Sequence, residues 1–77
     1  MEADDSYLLS IFGNHLREIR KSKNLSQENL AEKAGIHRTY VGMIERGEKN
    51  ITILNIIKIS SALEIPPYIL LTRYTNG

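Results

Sequence analysis

The stretch SQENLAEKAGIHRTYVGMIERG, residues 26–47, decides the fold. Ser26 offers an N-cap for QENLAEKA, and Glu28 falls in the first turn, where negative charge is favoured. Leu30, Ala31 and Ala34 are spaced to face inward. Gly35 stands where a chain can leave a helix through positive φ, Ile36 is an apolar plug, and His37 can end the turn and cap the next helix. That helix runs roughly from His37 to Arg46 and stops at Gly47, with Val41 and Ile44 on its buried side and Tyr40 partly so. The expectation is two short helices separated by a turn of about three residues.

Upstream, Leu8, Leu9, Phe12, Leu16 and Ile19 recur at helical spacing. Gly13 weakens this helix by about 1 kcal/mol relative to alanine, and either close packing or simple tolerance accounts for it. Arg20, Lys21 and Lys23 suit the negative end of the helix dipole, and Asn24 suits a left-handed cap. Residues 1–6, MEADDS, are expected to be a flexible acidic N-terminus in which Asp4, Asp5 or Ser6 can cap this first helix.

Downstream of Gly47 the polar EKN leads to Ile51, and Thr52 can cap ILNIIKISSAL. There Ile53, Ile56, Ile57, Ser60 and Leu63 fall at helical spacing, while the richness in β-branched residues keeps a strand open as the alternative. EIPP marks a break, with Pro66 and Pro67 allowed in a first helical turn, and YILLTRY follows as a short fifth helix. The whole reads as an all-α chain with a single domain over residues 7–74.

At 77 residues a core must be compact, and no room is left for a separate sensor or catalytic domain. With no cysteine, disulfides and thiolate metal sites are excluded, which fits a reducing compartment. No apolar run approaches the length of a membrane span, and the acidic start lacks the basic region of a signal peptide, so a cytoplasmic protein without membrane contact is expected. The formal charge of +1 is uneven: Glu2, Asp4 and Asp5 open the chain, and the remainder carries ten basic against six acidic residues. That balance mildly suits a polyanion, although a near-neutral surface is the plainer reading.

A short helix, a glycine-containing turn and a second short helix form the arrangement that lets the second helix enter the DNA major groove, its first turn against base edges. Arg38 can make a bidentate contact to guanine, and the Thr39 methyl can pack on thymine, with Tyr40 beside them and Gly42 and Met43 continuing the face with little polarity. Each residue has an ordinary reading too. Arg38 and Thr39 are what a solvated surface carries, Tyr40 is what a half-buried packing position carries, and His37 serves as a cap. His37 has no second ligand four residues away on either side, so no metal is expected, and no cofactor is called for. His15 and His37 lack a nucleophile or carboxylate constellation, so no enzyme is expected either.

These residues identify a family. SQENLA, AGI, the ERG after the second helix and the polar loop before ITILNIIKISSAL resemble the helix-turn-helix domain of the lambda-repressor-like superfamily of XRE-type regulators, over about residues 10 to 72. Within it, HRTYVGMIERGEKNI is similar to the small controller proteins of restriction-modification systems, with two departures: Gly42 where these often have serine, and Lys49 where many have arginine. The resemblance implies a five-helix lambda-repressor-like DNA-binding domain with a central helix-turn-helix. It implies that Arg38, Thr39, Tyr40 and Met43 read bases, and that Gln27, Lys49 and Asn50 hold phosphates. It also implies an internal salt bridge between Arg20 and Glu45 that orients the reading helix, with Arg46 either supporting that network or facing a phosphate. Glu28 and Glu32, four apart on one exposed face, are ordinary surface charge or a contact for RNA polymerase.

One such domain reads few base pairs, so a homodimer on a two-fold related double-stranded operator is expected. Ile65, Tyr68, Ile69, Leu71 and Tyr74 of a C-terminal dimerisation helix are the expected interface, with Ile69 and Leu70 shared between interface and core. The function implied is a controller that autoregulates its operon, activating at low occupancy and repressing at high, and so times endonuclease expression. A phage-type repressor, an antitoxin-type autoregulator and a helical protein-interaction adapter without DNA binding are the alternatives.

Overall fold

The computed structural model describes residues 4–74, with the side chains of Arg73 and Tyr74 outside the description. Four α-helices, α1 (Asp5–Ser22), α2 (Gln27–Ala34), α3 (Arg38–Glu45) and α4 (Ile53–Leu63), precede a C-terminal 3₁₀ helix (Pro67–Tyr74). The chain is all-helical, with no strand among the described residues, and residues 53–63 take the helical rather than the extended form.

Each α-helix starts on a side chain that accepts from a backbone N–H left unpaired in its first turn. Asp4 caps α1 through Tyr7 N–H at 2.8 Å, Ser26 caps α2 through Asn29 N–H at 3.0 Å, and Thr52 caps α4 through Asn55 N–H at 3.1 Å. His37 caps α3, its Nδ1 accepting from Thr39 N–H at 3.1 Å. Such caps are worth about 1 kcal/mol each, a large fraction of what an eight-residue helix needs. Helix α1 therefore begins two residues inside the stretch expected to be flexible, because Asp4 supplies the cap.

The helix ends are equally local in origin. Asn24 takes a left-handed φ of 61° just beyond α1, and Gly35 takes 72° at the end of α2, where Ile36 N–H reaches back to the Ala31 carbonyl at 3.0 Å. Left-handed geometry at Glu64, φ 60°, ends α4. Nothing in EIPP announces a non-glycine in that conformation.

Phe12, Leu16, Leu30, Ala31, Ala34, Val41, Ile44, Ile59, Leu63 and Leu70 form the core. Helix α1 crosses α3 so closely that a Cβ on Gly13 would overlap the carbonyls of Ile44 and Glu45, which settles the question of Gly13 in favour of close packing. Two details are finer than the sequence expectation. The inward face of α4 runs through Ile56, Ile59, Ser60 and Leu63, while Ile53 and Ile57 are 75% and 49% exposed. The helix is apolar on nearly all sides, so periodicity alone could not choose the face. The last helix is 3₁₀ rather than α: Ile69 N–H bonds to the Pro66 carbonyl at 3.1 Å, three residues back.

Candidate nucleic-acid interface

Helix α2, the turn Gly35–Ile36–His37 and α3 form the helix-turn-helix. Val41, Ile44 and Glu45 turn α3 inward, and Arg38 and Thr39 stand exposed in its first turn. Tyr40 is half-buried and packs on the core, and Met43 is half-buried. The Arg38 guanidinium lies 3.8 Å from Glu28 on α2, both side chains well exposed, a contact worth little in water. Glu28 and Glu32 line an open depression with Ile36, His37 and Arg38.

A buried carboxylate ties α3 to α1 and α2. Glu45 accepts from Arg20 Nε at 2.6 Å and Nη2 at 2.9 Å, and Arg20 Nη1 donates to the Leu25 carbonyl at 2.8 Å. Gln27 Nε2 donates to the same Glu45 carboxylate at 3.0 Å, and Arg17 Nε lies 3.5 Å from it. Burial alone would raise the Glu45 pKa. The hydrogen bonds from Arg20 and Gln27, with the Arg20 charge, outweigh burial and hold the carboxyl below its ordinary value. The pair thus sits between α1 and α3, with α2 joined through Gln27.

Gln27 is one of the three residues expected to meet phosphates. Its side chain is half-buried and its amide nitrogen is engaged by Glu45, while its position opens α2, where backbone N–H groups and the helix dipole favour an anion. Lys49 and Asn50 are exposed in the loop after α3, Asn50 beside Asp5, Leu8 and Leu9 of α1. Arg46 does not join the Glu45 network; it donates to Glu48 through Nε at 2.9 Å and Nη2 at 3.1 Å, an exposed pair that raises the Arg46 pKa and lowers that of Glu48. Gly42, expected on the open reading face, is instead buried, with the Arg46 guanidinium and the Gln27 amide against it.

At the C-terminal end Tyr68 and Leu71 are exposed and Ile65 and Ile69 half-buried, whereas Leu70 belongs to the core. The side chain of Tyr74 lies outside the described residues. Sequence reasoning passed over the exposed Ile53, Leu54 and Ile57 on α4, which packs against the 3₁₀ helix. The signal was present: five apolar residues crowd into positions 53 to 59, more than one face can bury. It also passed over Arg17, whose partner Glu45 depends on how α1 and α3 cross, and Glu48, which pairs locally with Arg46 two residues before it.

Comparison with known proteins agrees with this geometry. The helix-turn-helix family model HTH_3 matches residues 16–70. The chain is 50% identical over 68 residues to the control protein C.BamHI of Bacillus amyloliquefaciens, covering 87% of this chain and 84% of that one. The crystal structure of the restriction-modification controller protein C.AhdI from Aeromonas hydrophila superposes with a TM-score of 0.80 at 50% identity, covering 80% of this chain and 94% of that one. The biofilm regulator SinR, solved in complex with DNA, superposes with a TM-score of 0.75 at 36% identity, covering 78% of this chain and 97% of that one. The chain belongs to the helix-turn-helix family of DNA-binding transcriptional regulators, with restriction-modification control proteins among its relatives.

Proposed function

We propose that this chain is the cytoplasmic controller of a restriction-modification operon, a homodimer that binds a two-fold related operator beside its own gene and times endonuclease expression. The observation that carries this reading is the division of α3: Arg38 and Thr39 stand exposed in its first turn, while Val41, Ile44 and Glu45 fix the helix from behind. Arg38, Thr39, Tyr40 and Met43 read base edges, with Tyr40 contributing only what its half-buried ring leaves accessible. Gln27, Lys49 and Asn50 set register on the phosphates, which position without specifying. The similarity to C.BamHI and C.AhdI supports the restriction-modification setting.

The dimer forms through Tyr68 and Leu71 with the flanking Ile65, Ile69 and Tyr74, extended by Ile53, Leu54 and Ile57. Exposed apolar side chains of this number on a small chain call for a cover. Glu28 and Glu32 offer RNA polymerase an acidic surface. No catalytic activity is assigned to the chain, and cleavage of DNA by the pure protein would overturn that.

The test is a titration of the protein against the duplex upstream of its gene and against random duplex across a salt series. Specific binding that weakens steeply with salt is the expected result; no preference for the upstream duplex at low salt would sink the reading. Arg38→Ala should cost about 1 to 3 kcal/mol on the operator and almost nothing on random DNA. An adjacent methyltransferase and endonuclease gene would support the operon assignment, and an adjacent toxin gene would contradict it.

A further inference from the structure

The Gln27 amide shares a neighbour with each of two arginines from other elements. Its Nε2 meets Glu45 Oε1 at 3.0 Å, the oxygen that Arg17 Nε approaches at 3.5 Å. Its Oε1 lies on the other side, over Gly42, 3.4 Å from where a Cβ would stand, and Arg46 Nη1 lies 3.1 Å from that same point. Glycine at position 42 is the condition for this arrangement. A side chain there would contend with the Arg46 guanidinium for the space beside Gln27.

Neither arginine is consumed by the fold. Arg20 already holds Glu45 with two hydrogen bonds and is itself closed in, its side chain 8% exposed. Arg17 adds only a longer contact to the same carboxylate and keeps 40% of its side chain in solvent. Arg46 keeps 51%, and Glu48 occupies its Nε and Nη2, leaving Nη1 turned toward Gly42 and the Gln27 side. Glu48 acts here as a buttress, since its two hydrogen bonds orient a guanidinium that would otherwise swing freely.

We propose that Arg17, from α1, and Arg46, from the end of α3, flank Gln27 as the two arms of one clamp for a DNA backbone phosphate. This rests on the reading of the chain as a DNA-binding regulator, with Gln27 at the backbone. A phosphate that reaches the Gln27 amide and the start of α2 comes between two guanidinium groups, which match its charge and its oxygen geometry better than an amide alone. The clamp joins three helices on one anion, so binding DNA also braces the crossing of α1 and α3.

The experiment uses the full chain, the upstream duplex and a random duplex of equal length, titrated by fluorescence anisotropy over a salt series, with Arg17→Gln, Arg46→Gln and the double variant. Each single variant should bind both duplexes about tenfold more weakly. The double variant should flatten the plot of log affinity against log salt by about 0.9, the share of one phosphate. Melting temperatures check that the fold survives, and the Arg46→Gln arm stands even if Arg17→Gln destabilises the chain. Unchanged affinity in Arg46→Gln, or a loss confined to the upstream duplex, would overturn the clamp while leaving the regulator intact. A wild-type chain that binds neither duplex would instead remove the reading on which the clamp rests.

Discussion

At the level of single residues the molecule turns on Glu45. Among the described residues its carboxylate is the one acidic group in the core, and removing it would leave Arg20 buried without a partner. Glu45→Ala should therefore lose about 3 to 5 kcal/mol, read from urea unfolding. Unchanged stability would show the pair to be incidental. Because the folded-state pKa lies below the ordinary 4.5, this contribution is fully present above that value. It is lost as the pH falls through the lower folded-state value. Acid unfolding of Glu45→Gln should accordingly begin from a lower plateau and fall less steeply than wild type below pH 4.5. Gly13 offers a second measure. Alanine gains about 1 kcal/mol of helix propensity but drives a methyl into two carbonyls of α3, so Gly13→Ala should lower the melting temperature. A rise would show that the helices can part there at no cost.

At the level of elements, the helix-turn-helix was legible because everything that makes it is local. A serine cap, a left-handed glycine and a histidine cap lie within a dozen residues of one another, and each acts on backbone groups beside it. The inward face of α4 was not legible, because Ile53, Leu54, Ile57 and Ile59 are chemically alike and only packing distinguishes them. The meeting of Arg17 and Gln27 at Glu45, and of Gln27 and Arg46 over Gly42, was hidden for a related reason: these contacts join different helices, and sequence spacing does not encode how helices cross. The α4 assignment can be measured. Ile59→Ala should cost about 2 to 5 kcal/mol of folding stability. Ile53→Asp should leave folding nearly unchanged and shift the proposed dimer to monomer in sedimentation equilibrium; a dimer that survived it would place the interface elsewhere.

At the scale of the whole molecule, a histidine joins the first helix to the last. His15 Nε2 donates to the Ile69 carbonyl at 2.8 Å and lies 3.2 Å from the Thr72 hydroxyl, tying the 3₁₀ helix to the helix that crosses α3. Its Nδ1 is buried with no hydrogen-bond partner among the described residues, so there the tie is made by one edge of the ring. Leu70 is the buried anchor of the segment, with Tyr68 and Leu71 left to solvent in a single chain. A segment held by one buried anchor is expected to open first when the protein breathes, and a partner covering it would raise the cost of opening. Proteolysis should thus cut dilute protein first between residues 64 and 74 and slow as concentration rises, whereas a rate independent of concentration would argue against this. If the chain pairs through this segment, the 3₁₀ helix would make lifetime in the cell a function of abundance, with unpaired copies cut sooner than paired ones.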